Sequence, residues 1–173
     1  MDFDKLIAQR RSIRKFTNEQ LSEDELRLLM RAALMAPSSK GTHSYEFYVV
    51  QDKDKLKALS TSKDRGAELV ADAPTVIVVA ARPETSDVWI EDASVASTML
   101  LLQAEDMGLG ACWVQIRERQ DVDGRDAEQN VRDILSIATD DIRIVSIVAV
   151  GHKGMERKPQ NEEKLLWDKV QRL

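Results

Sequence analysis

The chain has 173 residues, of which 43% are hydrophobic and 32% charged, an ordinary composition for a globular protein with a substantial core. Its formal net charge of -5 argues against nucleic acid as the main partner, and no apolar run approaches the length of a membrane span. The single cysteine, Cys112, excludes an internal disulfide and the N-terminus lacks the pattern of a secretory signal, so we expect one domain, residues 1–173, in the cytoplasm.

The first half of the chain alternates helical and strand patterns. Residues 22–37 give the clearest helix, because Ser22 and Glu25 have the spacing of a capping box. The aromatic and β-branched run 45–51 predicts a strand, and the continuous apolar run 75–81 predicts a central strand covered on both faces. Shorter helices are expected at residues 2–11, 52–60 and 65–73.

The second half repeats this alternation. A long helix is expected over residues 88–107, closed by Gly108. Four strands interleaved with helices indicate an α/β or α+β sandwich. The glycine-rich loops that bind dinucleotides or nucleotide phosphates are absent, so a phosphate would have to be held by side chains. The remaining predicted elements are strands at 110–116 and 142–151, a helix at 126–135 and a helix-like tail around Leu165, Leu166, Trp167 and Val170.

A cationic stretch, RRSIRKF, spans Arg10–Phe16 in this acidic chain. Guanidinium groups bind phosphate oxygens in a bidentate manner, and a serine hydroxyl adds a further donor. The alternative is a basic turn that is only solvated. The candidate anion ligands are Arg10, Arg11, Ser12 and Arg14.

Three further stretches have the character of a binding site, each with an ordinary alternative. Residues 36–47, APSSKGTHSYEF, form either a polar loop against the edge of a flat ligand or a simple helix-to-strand turn. Residues 108–116 form the floor of an aromatic pocket or a helix cap followed by a core tryptophan, and residues 151–159 close an anion site or remain a solvated loop. Neither a metal-ligand spacing nor a nucleophile motif is present, so a bound cofactor is expected to carry the chemistry.

Taken in order, these stretches resemble the FMN-dependent nitroreductase family. RRSIRKF, then APSSKGTHSYEFYVV, then EDASVASTMLLLQAEDMGLGACWV occur in the order and spacing of that family, and the likeness runs from Phe3 to about Pro159. The resemblance implies an α+β fold with a mixed, mainly antiparallel sheet flanked by helices. It also implies an interlocked homodimer with FMN at the subunit interface.

The resemblance assigns the basic residues to the cofactor. Arg14 would lie near the pyrimidine edge of the flavin, where a fixed cation favours the anionic reduced state. The FMN phosphate and ribityl chain would be bound by residues from both ends of the chain: Arg10, Arg11, Ser12, Arg157 and Lys158.

The resemblance also assigns residues to the flavin ring. Trp113, Val114 and Gln115 would lie beside the isoalloxazine. Where the family often has an asparagine and then Gln-Pro-Trp, this chain has Gly41 and then HSY, so the usual amide contacts would be replaced by His43 or lost. The other subunit would cover the ring with a loop: Pro37, Ser38, Ser39, Lys40 and Gly41.

The implied activity is an oxidoreductase with ping-pong kinetics. NADH or NADPH would reduce FMN, and a nitroaromatic or quinone acceptor would then be reduced at the same ring face, with protons supplied by solvent. Three alternatives stay open at this point: a specialised flavin reaction such as dehalogenation or flavin breakdown, a dimer that has lost FMN, and a module that binds nucleic acid or another anion.

Overall fold

The fold is built around one sheet. The computed structural model describes residues 1–173. Every pair of neighbouring strands is antiparallel, and one parallel bridge joins Ser12 to Ala111 at the outer edge of the sheet. The strands, in their order across the sheet, are β1 (Tyr45–Val50), β2 (Thr75–Ala81), β4 (Arg143–His152) and β3 (Leu109–Gln115). The expected α+β class with a mainly antiparallel sheet is confirmed.

Five α-helices cover the two faces of the sheet. They are α1 (Phe3–Gln9), α2 (Glu23–Leu34), α3 (Lys53–Leu59), α4 (Trp89–Asp106) and α5 (Ala127–Leu135). One core contains side chains of α3 and α5, and the other contains side chains of α2 and α4. No helix has the combination of length and apolar character that a membrane span requires.

Two local predictions, the buried central strand and the capping box of α2, can be compared with the structure in detail. All seven residues of β2 are buried, and successive side chains point into alternate cores. Val78 lies in the core with α3 and α5, and Ile77 lies in the core with α2 and α4. The Ser22 Oγ atom accepts a hydrogen bond from the Glu25 N–H at 3.2 Å, and the Glu25 carboxylate accepts one from the Ser22 N–H at 2.8 Å. The buried central strand and the capping box are therefore confirmed.

Two predicted helices are wrong. Residues 65–73 contain only a 3₁₀ turn, Glu68–Val70, because Pro74 ends the segment and a short helix gains few hydrogen bonds for its nucleation cost. The tail forms two 3₁₀ turns, Glu162–Lys164 and Trp167–Lys169, instead of one helix. All residues of the tail from 161 onward are exposed, so no packed apolar face stabilises a helix there.

Candidate active site

The stretch Arg10–Phe16 runs along one end of the sheet. The Ile13 N–H donates to the Ala111 carbonyl oxygen at 3.0 Å, and the Thr17 N–H donates to the His152 carbonyl oxygen at 3.0 Å. The cationic stretch is thus bound through its backbone to the beginning of β3 and the end of β4. This pairing leaves its long side chains available for other contacts.

An apolar contact fixes the same stretch. Ile13 is only 2% exposed and packs on Gly110. A Cβ atom at position 110 would lie 2.6 Å from the Ile13 Cγ2 atom, so glycine is required for this approach. The arginines are therefore held on a rigid support.

Arg11 joins the cationic stretch to the C-terminal loop. Its guanidinium donates to the Lys158 carbonyl oxygen, and the Gln160 N–H donates to the Ala8 carbonyl oxygen at 2.8 Å. These contacts close a pocket of about 310 Å³. Its lining residues are Gln9, Arg11, Ile13, Glu105, Lys153, Glu156, Arg157 and Pro159. The structure thus brings Arg11 and Arg157 together and places Lys158 beside them.

Arg10, Ser12 and Arg14 are grouped near Cys112 on β3. Burial raises the pKa of the Cys112 thiol, and the charge of Arg14 is the strongest influence in the opposite direction. The Ser12 hydroxyl and the charge of Arg10 also favour the thiolate. Cys112 as a whole is 2% exposed, so its side chain is buried in the sheet.

Lys63 is a further cation in this region that sequence reasoning missed. Its positive charge also acts on the Cys112 thiol. Burial lowers the pKa of Lys63, and the neighbouring charge of Arg119 lowers it further. No motif surrounds Lys63, and only the packing of its loop against the sheet shows its place.

The end of β3 presents an aromatic and amide pair. The Trp113 Nε1–H donates to the Gln115 Oε1 atom at 2.9 Å, and the Gln115 amide donates to the Arg117 carbonyl oxygen at 2.9 Å. The Val114 side chain is 1% exposed and lies in the core that contains side chains of α3 and α5. A ligand beside this strand could therefore contact only the backbone of Val114, and the amide of Gln115 is already engaged. Because β3 is an edge strand, part of its outer edge has no partner strand.

The loop from Ser38 to Ser44 has an unusual backbone. Lys40, Gly41 and His43 have φ angles of 53°, 67° and 47°, in the left-handed region. Such angles cost about 1 kcal/mol or more at a residue other than glycine. The loop therefore needs specific contacts to keep this conformation.

Asp92 supplies those contacts, and sequence reasoning missed it. The carboxylate, 4% exposed, accepts hydrogen bonds from the Ser39 N–H at 2.8 Å, the Ser44 Oγ at 3.1 Å and the Ser86 Oγ at 2.9 Å. No cation pairs with it. An available signal was its place on the buried, small-residue face of α4, one turn before Ala96.

His43 and Tyr45 form a polar pair at the end of this loop. The His43 Nδ1 atom lies 2.7 Å from the Tyr45 hydroxyl, which donates to the Ala36 carbonyl oxygen at 2.7 Å. Burial, and then the charge of Asp92, raise the pKa of Tyr45. The Tyr45 proton is therefore retained at neutral pH.

A sequence model of one protein family matches most of the chain. The sequence model described as "Nitroreductase family" matches residues 7–63 and 58–152. The chain belongs to the nitroreductase family. A curated relative from Archaeoglobus fulgidus, with the provisional name NADH dehydrogenase/NAD(P)H nitroreductase, is 31% identical over 157 residues, covering 88% of this chain and 86% of the relative.

Solved structures of nitroreductases show the same fold. An FMN-dependent nitroreductase from Clostridium difficile is 39% identical, with a TM-score of 0.93 and coverage of 96% of both chains. A structure from Parabacteroides distasonis, provisionally named NADH dehydrogenase/NAD(P)H nitroreductase, is 28% identical, with a TM-score of 0.89 and coverage of 99% of this chain and 98% of that chain. The resemblance to the family is confirmed, and with it the expectation of an oxidoreductase.

In this nitroreductase the two groups of site residues lie at opposite ends of α4. Asp92 holds the Ser38–Ser44 loop, whereas Glu105 binds the Lys153 ammonium group at 2.8 Å beside the cationic stretch. These two acids are thirteen residues apart on α4, which corresponds to roughly 20 Å along the helix axis. A single chain therefore does not bring Pro37–Gly41 and His43 together with the phosphate-binding candidates.

Two apolar surfaces of the nitroreductase chain remain uncovered. The tail exposes Leu166, Trp167 and Val170 by 61%, 70% and 62%. A shallow groove of about 300 Å³ lies between α1, α2 and α4. Its apolar lining consists of Met1, Phe3, Leu6, Ala32, Met99 and Leu102. Patches of this kind on a folded chain mark interaction surfaces.

Proposed function

We propose that this chain is an FMN-dependent oxidoreductase that takes reducing equivalents from NADH or NADPH and passes them to a quinone or nitroaromatic acceptor. The names of its relatives support this assignment, since one structure is an FMN-dependent nitroreductase and others are named for NAD(P)H. The acceptor class and ping-pong kinetics are our inference, and ping-pong kinetics would follow if NAD(P)H and the acceptor used the same face of the flavin in turn.

The observation that carries the proposal is a set of cations without counter-charges. Arg10, Arg11 and Arg14 form no ion pair, although the chain has more acidic than basic residues. Arginines whose backbone is hydrogen-bonded to the sheet and whose side chains have no carboxylate partner are suited to an anionic ligand. The phosphate of FMN fits this donor set.

The residues would hold FMN along β3. Arg10, Ser12 and the Arg11–Arg157–Lys158 group would bind the phosphate and ribityl chain at the beginning of the strand. Arg14 would face the pyrimidine edge, and the strand segment Trp113–Gln115 would support the ring. FMN, when bound, supplies the site that accepts and donates hydride.

A homodimer would complete the site. Asp92, which holds the Ser38–Ser44 loop, and Glu105, beside the cationic stretch, lie roughly 20 Å apart along α4. The loop of a second subunit is therefore the simplest source of a ring cover. The exposed apolar tail and the groove between α1, α2 and α4 would be buried by the same association. We therefore propose FMN at the interface of two copies of this chain.

The other expected properties remain proposals of the same kind. The net charge of -5 supports a small-molecule substrate over nucleic acid. The one cysteine is free and buried, which agrees with a reducing compartment such as the cytoplasm.

The test is a visible spectrum of the purified protein, with FMN added where needed, followed by anaerobic addition of NADH and then menadione. We expect a flavin spectrum that bleaches with NADH and returns with menadione. Failure to take up flavin would overturn the proposal. Gel filtration of the same sample should give the mass of two chains.

A further inference from the structure

The hydrogen bonds of Tyr45 fix the tautomer of the His43 ring. The Tyr45 hydroxyl has one proton, which it donates to the Ala36 carbonyl oxygen at 2.7 Å. The hydroxyl oxygen must therefore accept at the His43 Nδ1 atom, 2.7 Å away, so Nδ1 carries a proton. In the neutral ring this leaves Nε2 without a proton.

The His43 Nε2 atom makes no hydrogen bond within the chain. His43 is exposed, and its ring makes no hydrogen bond other than the one to Tyr45. The Tyr45 ring meets the imidazole edge to face at a centroid distance of 5.7 Å. The Nε2 atom is therefore available to a ligand and, between turnovers, to water.

The backbone of His43 is held in a left-handed conformation that is energetically unfavourable for a residue other than glycine. His43 has a φ of 47°, and its N–H donates to the Ser38 Oγ atom at 2.9 Å. The loop behind it is tied to Asp92 through Ser39. Left-handed residues that the surrounding contacts hold in place are concentrated at functional sites.

Few other titratable groups surround the ring. Tyr45 is the group on β1 that faces it, and Lys40 belongs to the same loop. Asp92 on α4 acts on Tyr45, and the end of α2 contributes only carbonyl oxygen atoms to the Tyr45 hydroxyl. A protonated imidazole has a proton to donate at Nε2 as well as the one at Nδ1.

We infer that His43 is a catalytic residue that donates a proton from Nε2 to the acceptor. This inference rests on the proposed function, in which the loop covers the flavin of the partner subunit. A quinone that accepts a hydride, supplied by NAD(P)H through the flavin, becomes a hydroquinone anion with one oxygen still to be protonated. The imidazolium gives that oxygen its Nε2 proton and recovers one from water. This proposal is an alternative to the expectation that solvent alone protonates the product, and the test below separates the two.

The test compares two acceptors in the FMN-loaded dimer. Menadione takes up protons on reduction, whereas ferricyanide takes only electrons. His43→Asn removes the proton donor, and asparagine tolerates the left-handed backbone. We expect the ratio of menadione to ferricyanide turnover to fall at least about tenfold in this variant. In the wild type, the menadione to ferricyanide ratio should fall as the pH is raised, because an unprotonated Nε2 has no proton to donate, and His43→Asn should remove this dependence.

Two further variants keep the test decisive. Glu118→Asn removes an ionisable side chain from another exposed left-handed position, with a φ of 58°, and should keep the wild-type ratio. Tyr45→Phe retains the imidazole but removes the hydrogen bond that fixes its tautomer. It should therefore lower the same ratio by less than His43→Asn does. An unchanged ratio and pH profile in His43→Asn would overturn the inference. Equal losses with both acceptors would also overturn it, because they would indicate positioning. A wild-type protein without flavin would instead reject the proposed function.

Discussion

The cationic stretch and the Ser38–Ser44 loop are both site candidates, but they are held by different forces. The stretch Arg10–Phe16 is bound by backbone hydrogen bonds to β3 and β4 and by the packing of Ile13 on Gly110. The loop contains three left-handed residues and depends on one buried carboxylate, Asp92. The stretch should therefore tolerate side-chain changes that leave its backbone pairing intact, whereas the loop should depend on a single residue outside itself.

The largest effect is expected from Asp92→Ala. This change removes the acceptor of three hydrogen bonds and should lower the free energy of unfolding by about 3 kcal/mol. Chemical denaturation measures the loss, and flavin fluorescence tests whether the ring cover is also lost. Glu91→Ala, at the exposed neighbouring position on α4, should change stability by less than about 0.5 kcal/mol. Equal effects of the two changes would contradict the dependence of the loop on Asp92.

A slightly smaller effect is expected from Gly110→Ala, which tests the support of the cationic stretch. The added Cβ atom would meet the Ile13 side chain at 2.6 Å and should cost about 2 kcal/mol. A double-mutant cycle with Ile13→Ala measures the coupling by denaturation. We expect the second change to relieve part of the clash, and strictly additive effects would show that the two residues do not press on each other.

Arg14→Ala should act on the cofactor and not on the fold. The loss of one charge-assisted contact should weaken FMN binding about tenfold and slow reduction by NADH, with little change in stability. Fluorescence titration with FMN and anaerobic stopped-flow absorbance measure the two effects. Lys15→Ala, at the adjacent exposed position, is the control. If Arg14→Ala bound and reduced flavin like the wild type, Arg14 would lie outside the site.

The smallest loss of stability is expected from Glu25→Gln. Glu25 lies in neither region, so this variant shows how much a single hydrogen bond of a helix cap contributes by itself. The backbone hydrogen bond from Ser22 is the main reason that the pKa of Glu25 is lowered in the folded chain. Folding therefore favours the ionised Glu25 carboxylate. Its contribution to the free energy of unfolding is complete at pH values above the ordinary glutamate pKa, and it is lost as the pH falls below that pKa. The variant should be less stable by about 0.5 to 1 kcal/mol at neutral pH, and the difference should disappear in acid. Thermal denaturation across this pH range measures it, and a constant difference would contradict the assignment.

The two regions also differ in how far the sequence revealed them. The cluster of arginines in RRSIRKF is visible as a local charge pattern, and the glycine at 110 is visible beside a strand. Sequence reasoning could not show that Arg11 turns to the C-terminal loop while Arg10 and Arg14 act at Cys112, because this depends on the pairing of Ser12 with Ala111 across a hundred residues. Asp92 was missed for the same reason, since two of its three partners, Ser39 and Ser44, come from a loop that is distant in sequence.

The sequence by itself determined the features that depend on neighbours along the chain. These are the capping box of α2, the buried strand β2, the cationic stretch and the family resemblance. Only the tertiary structure decided the strand order, the role of Asp92, the tautomer of His43 and the separation of the two site halves along α4. The strand order, the role of Asp92 and the separation of the site halves arise from hydrogen bonds and packing between segments far apart in sequence. The His43 tautomer arises from side-chain geometry within residues 36–45. Periodicity and local propensity contain no information on either.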